Sequence, residues 1–166
     1  MLYFAVIDTG MGWMGLHGST VGLRRIILPR SSREMVISAF DESIVEATED
    51  VSFFGSLSDR LELYLHGNEV DFPDRQDIVG ASDFDRAVWE TTSTIPFGET
   101  RTYSWVAQEI GSPRALRAVG QALARNPLPI VIPCHRVIAS TGALGGYQGD
   151  SEMKAWLLSS ERSSLK

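Results

Sequence analysis

Short apolar runs separated by small polar residues fill the first thirty positions. Tyr3-Phe4-Ala5-Val6-Ile7, Gly12-Trp13-Met14-Gly15-Leu16 and Val21 to Leu28 predict three strands. Thr9-Gly10 and Gly18-Ser19-Thr20 supply the turns of a β-meander. The period then lengthens. Leu57, Leu61 and Leu65 recur at helical spacing with Asp59, Arg60 and Glu62 between them, predicting a helix near 54–66 that Gly67 stops. The acidic stretch 41–50 reads as loop or solvated face, and the polar run Asn68–Ser82, with Pro73 and Gly80, reads as a linker.

The second half is patterned for helices. Phe84, Ala87, Val88 and Thr91 share one side of a helix near 83–93, with Asp83 as its cap. After the turn Pro96-Phe97-Gly98, a short helix runs from Thr102 to Ile110 and ends at Gly111. Ser112-Pro113 then restarts a helix, serine as N-cap and proline at N1. Two short helices joined through a glycine predict a helix-turn-helix. On the second, with ~100° per residue, Arg114, Arg117, Gln121 and Arg125 form one polar stripe. Leu116, Val119 and Leu123 face the other way, towards a core, and Ala115, Ala118 and Ala122 flank the arginines. The expected fold class is therefore α+β. Residues 1–70 form a small N-terminal antiparallel sheet with a helix, 71–82 a linker, and 83–166 a mostly helical domain.

Composition narrows the classes. A chain of 166 residues can bury a core, and no apolar stretch reaches membrane-spanning length. Met1 to Asp8 lacks a basic leader and meets an acid too soon for a secretory signal. One cysteine excludes an internal disulfide, and three histidines make no zinc-like cluster, so neither metal nor cofactor is expected and a reducing, cytoplasmic setting is the default. The net charge of −6 argues against a nucleic-acid partner until its distribution is considered. From Ile110 to Gly149 there is no acid, while Arg114, Arg117, Arg125 and Arg136 are all basic. A polyanion responds to such a local field, so the arginine stripe favours DNA over a merely solvated helix face.

The candidate chemistry centres on Cys134, in Pro133-Cys134-His135-Arg136 after the apolar run Ile130-Val131-Ile132. A lone thiol is more often an inert core residue. Here a histidine and an arginine follow directly, and both favour thiolate, the attacking form. Prolines at 127, 129 and 133 stiffen the turn that presents it. Lowering an ordinary thiol pKa of ~8.5 by ~2 units takes about 2.7 kcal/mol of preferential thiolate stabilisation, which an imidazole and oriented donors can supply.

Arg117-Ala118-Val119-Gly120, Asn126-Pro127, Ile132-Pro133-Cys134-His135-Arg136-Val137-Ile138, Gly145-Gly146-Tyr147 and Trp156-Leu157-Leu158 together resemble the O6-alkylguanine-DNA alkyltransferases. The resemblance spans residues 84–162, whereas the first 80 match that family's N-terminal domain, a ribonuclease-H-like sheet, only in outline. It implies repair of double-stranded DNA containing O6-alkylguanine, and O4-alkylthymine as well. The damaged base is flipped out and its alkyl group passes irreversibly to Cys134, once per molecule. A target atom inside the stack is otherwise beyond reach. By the same resemblance, His135 draws off the thiol proton through a water, Glu161 orients the histidine, and Asn126 ties the helix end to the active-site turn. Tyr103 donates to the base ring. Tyr147, the backbone amide of Gln148 and carbonyls near Cys134 and Val137 form the substrate pocket. Arg117 fills the gap left by the base, while Ser104, Ser112 and Ser140, with Arg114 and Arg125, contact the duplex. Gln148 stands where a smaller serine is common in the family. A monomer without a membrane partner is expected. An alkyltransferase-like damage sensor without transfer activity is the alternative, and the intact Cys134 argues against it.

Overall fold

The computed structural model describes residues 1–147 and 151–165. The chain divides into two compact units, Met1–Val79 and Gly80–Lys166.

In the first unit, β1 (Leu2–Thr9) and β2 (Gly12–Ser19) pair antiparallel from Leu2 with Ser19 to Thr9 with Gly12. The Thr9 hydroxyl closes the turn by donating to the Gly12 carbonyl at 2.6 Å. β3 (Leu23–Arg30) pairs antiparallel with β2, interrupted by two register shifts. This is the meander that the alternation predicts. A two-residue strand β4 (Thr48–Glu49) adds to the free edge of β1 in parallel, so the sheet is mixed, in the order β3-β2-β1-β4. The acidic stretch thus contributes a strand, besides a short 3-10 turn at Asp41–Ile44.

The sequence pattern misses α1 (Arg33–Ala39), a seven-residue helix whose only buried member is Val36. Ser32 caps it by accepting from the Met35 amide at 3.2 Å. Val36 and Phe40 pack on Val6 and Ile27 of the sheet. Gly15 lies beneath them, where any Cβ would collide with the Phe40 ring. α2 (Leu57–Leu65) buries Leu57, Leu61, Tyr64 and Leu65, on the face that its leucine spacing predicts. Residues 75–77, within the stretch that reads as a linker, are bound to the end of β3. The Leu23 amide donates to the Arg75 carbonyl and the Asp77 amide to the Leu23 carbonyl, each at 2.7 Å.

In the second unit, α3 (Asp83–Thr92) is capped by Ser82, not Asp83, and buries Asp85, Val88, Trp89 and Thr92. The buried face is therefore turned from the predicted one, because the Trp89 indole must reach across to donate to the Ala122 carbonyl at 2.8 Å. α4 (Tyr103–Glu109) is capped by Thr102, and Gly111 follows it at φ +75, which glycine adopts freely. Ser112 does not cap the next helix. Its carbonyl accepts from the Ala115 amide at 2.9 Å in a separate turn, and α5 begins only at Leu116 and runs to Ala124. α6 (Ser151–Ser164) buries Lys154, Leu157, Leu158 and Glu161. No helix among the described residues is long and apolar enough to cross a membrane.

Candidate active site around Cys134

Between α5 and Cys134 the backbone doubles back on itself. Leu128 accepts from the Ile132 amide at 2.8 Å, and Ile130 is forced to φ +75. A β-branched residue rarely takes that conformation, so the turn stores strain that its surroundings must hold. Asn126 holds it from within. Its Oδ1 accepts from the Leu128 amide at 2.9 Å, and its Nδ2 donates both to the Ile132 carbonyl at 2.9 Å and to Cys134 Sγ at 3.0 Å. One buried side chain thus fixes the turn and aims a donor at the sulfur.

Cys134, His135 and Arg136 then form a 3-10 turn, and β6 (Val137–Ile138) pairs parallel with β5 (Arg101–Thr102). That pairing brings Tyr103, the residue after β5, to the cavity that Cys134 also lines. Pairing between segments so far apart in sequence leaves no periodic signal. Gly145, at φ +74, passes so close that a Cβ there would collide with the Tyr103 hydroxyl.

His135 is completely buried, and its Nε2 lies 2.6 Å from Glu161 Oε2. Glu161 also accepts from Arg136 Nε at 2.9 Å and from the Gly98 amide at 2.9 Å. Burial works against the Glu161 carboxylate, but His135, Arg136 and the Gly98 amide outweigh it and hold the carboxyl down at about 2. An ionised Glu161 can only accept, so Nε2 carries the hydrogen and Nδ1 is the basic nitrogen of the neutral ring. Burial, with Arg136 and Lys154 adding to it, lowers the His135 pKa despite Glu161.

The sulfur itself differs from expectation. Cys134 is 4% exposed, and burial pushes its thiol up to about 11, even though Asn126, Lys154 and backbone donors pull the other way. The resting group is a thiol, not the thiolate that its basic neighbours suggest.

Lys154 is a site residue that the sequence does not reveal, since a lone helical lysine normally reads as solvated. It is 1% exposed and donates from Nζ to the Val137 carbonyl at 2.7 Å and the Gly146 carbonyl at 3.4 Å. The ammonium stands 5.8 Å from the Tyr103 ring centroid. Burial lowers its pKa to about 8, with Cys134 opposing. The lysine therefore links the strand after Cys134 to the loop that carries Tyr147.

A cavity of about 690 Å³ opens onto Cys134. Tyr103, Ser104, Arg117, Ser140 and Tyr147 line it, and so do Leu116, Gly120 and Gly145. Other expected site residues lie elsewhere. Val137 is fully buried outside the lining, its carbonyl turned to Lys154. Arg125 caps the end of α5 and is paired with Asp85 of α3 at 2.7 Å. Arg114 and Ser112 lie in the turn before α5, along a shallow depression, so the expected helical stripe of arginines retains only Arg117 within the helix. Leu116, expected in the core, is exposed. Gln148 lies outside the described residues.

Residues 83–163 match the model of the 6-O-methylguanine DNA methyltransferase DNA-binding domain. The chain is 38% identical to a methylated-DNA–protein-cysteine methyltransferase of Methanosarcina barkeri, over 99% of this chain and all of that one. It is 37% identical to the protein of the same name from Mycobacterium tuberculosis, over 98% of this chain and 94% of that one. A crystal structure of Mycobacterium tuberculosis OGT in complex with DNA superposes with a TM-score of 0.83 at 37% identity, covering 98% of this chain and 94% of that one.

Proposed function

The chain belongs to the methylated-DNA–protein-cysteine methyltransferase family, and on that premise we propose that it repairs DNA by moving the alkyl group of O6-alkylguanine to Cys134. The observation that carries this reading is the buried His135–Glu161 pair, adjacent in sequence to a Cys134 that lines an accessible cavity. The same chemistry serves O4-alkylthymine, whose alkyl carbon is likewise bound to an exocyclic oxygen.

In the reaction Cys134 Sγ attacks the alkyl carbon. The S–C bond forms as the C–O6 bond breaks, and that electron pair passes to the guanine, which leaves as an anion and takes up a proton. The thiol proton passes through a water to His135 Nδ1, and Glu161 stabilises the imidazolium from Nε2. Because burial holds the resting sulfur as a thiol, deprotonation belongs to the reacting complex, where a general base is needed. Asn126 Nδ2 and the Lys154 charge favour the thiolate as it develops. Tyr103, in the cavity wall, serves as the donor to the departing base ring, and Tyr147 lines the same cavity.

A base within the stack cannot reach a sulfur in a cavity, so the nucleotide is extruded. Arg117, exposed on the cavity side of α5, fills the vacated space as α5 enters the minor groove. Ser104 and Ser140 at the rim, and Ser112 and Arg114 in the preceding turn, hold the phosphate backbone. The thioether product has no leaving group that water can displace, so each molecule acts once. All these groups come from one chain, which fits action as a monomer, and a lone functional thiol fits the reducing cytoplasm.

Incubation with excess O6-methylguanine duplex tests the reading. Guanine should be restored until one equivalent per protein has formed and then stop. Continued turnover, or no loss of O6-methylguanine, contradicts it.

A further inference from the structure

Leu116 opens α5 on the side that its helical phase shares with Val119 and Leu123, yet it is 47% exposed while those two are buried. The cavity explains the difference. Leu116, Arg117, Gly120, Leu123 and Ala124 follow one another along a single stripe of α5, and all of them line the space above Cys134. Leu123 is buried by the fold, whereas Leu116 and Ala124, at the two ends of the stripe, are exposed. At its centre, a Cβ on Gly120 would meet nothing within 4 Å, so the helix backbone itself faces open space. A single exposed leucine is ordinary on a protein surface. This one adjoins Arg117 at the mouth of the cavity that holds the nucleophile.

We propose that Leu116 is an apolar wedge for duplex DNA, entering the minor groove beside Arg117 and packing against the base pair next to the extruded nucleotide. The inference rests on the base-extrusion reading of Arg117. Extrusion leaves a gap flanked by unstacked, apolar base faces. The guanidinium of Arg117 supplies charge and a planar filler, while the isobutyl group of Leu116 excludes water from the neighbouring step, as inserted apolar side chains do at kinked minor grooves. The side chain gains burial only when DNA is present, so its contribution is to binding and not to folding. Being uncharged, it releases no counterions, which separates it from every arginine in the interface.

The test uses Cys134→Ser protein, in which no transfer consumes the lesion, and duplex containing O6-methylguanine with 2-aminopurine beside it. Adding Leu116→Ala should weaken binding about fivefold. The plot of log affinity against log salt should shift without a change of slope, whereas Arg117→Ala should flatten it by about one unit. The 2-aminopurine signal that reports unstacking should fall with Leu116→Ala and return with Leu116→Met. Affinity within twofold of the parent, or a flattened slope for Leu116→Ala, overturns the proposal. Failure of the wild-type protein to transfer methyl to itself is a different result, and it removes the underlying reading instead.

Discussion

Cys134 occupies a position where burial raises its pKa to about 11 while Asn126 and Lys154 counter that effect. Reactivity then depends on side chains that stabilise charge only as it develops. Lys154→Met, which removes the buried ammonium and leaves the Val137 carbonyl without that donor, should slow methyl transfer about tenfold or more at unchanged duplex affinity. Single-turnover rates and binding isotherms separate the two, and an equal loss in both would mark Lys154 as a packing residue. In the proposed reaction Glu161 acts through His135, which it contacts at 2.6 Å. Its folded pKa of about 2 lies below the ordinary value of 4.5. Because the folded value is depressed, its contribution, roughly 3 kcal/mol, is fully present above pH 4.5 and is lost as the pH falls through 2. Glu161→Gln should therefore lower stability at pH 7 by that order, flatten the acid dependence between those values, and slow transfer by loosening the His135 tautomer. Denaturant melts across that range check it. An unchanged acid profile would show that the carboxylate is not held as described.

Elements differ in how much of their role is written in the chain. The three long strands and α2 follow directly from alternation and leucine spacing, because each buries a continuous face. α1 escapes because seven residues with one buried side chain carry no period, and β4, β5 and β6 escape because two-residue pairs are set by partners distant in sequence. On α5 the apolar face is correctly placed at Val119 and Leu123. Periodicity cannot show where a helix runs past its packing partner, so Leu116 reads as core. The motif Pro133-Cys134-His135-Arg136 is legible because its members are contiguous, whereas Lys154 is not, since burial of a lysine depends on carbonyls supplied by other segments. Gly120 gives a prediction at this scale. A helical glycine costs about 0.5–1 kcal/mol relative to alanine, and space for a Cβ exists. Gly120→Ala should raise the melting temperature of the free protein and weaken its binding to duplex DNA. A rise without weaker binding would place α5 away from the groove.

Across the whole molecule, charge and chemistry are segregated. A chain of net charge −6 keeps the run from Ile110 to Gly149 free of acids, and that run carries the turn before α5, α5 itself and Cys134. The second unit contains every residue assigned a role in the reaction. Single use follows from the proposed reaction: the one cysteine accepts the alkyl group, and no second thiol in the chain is present to remove it. The most direct measurement is intact-protein and tandem mass spectrometry after incubation with O6-methylguanine duplex. The account predicts one added methyl group per chain, located on Cys134 and absent from Cys134→Ser protein. An unchanged mass, or a methyl group on any other residue, would contradict it.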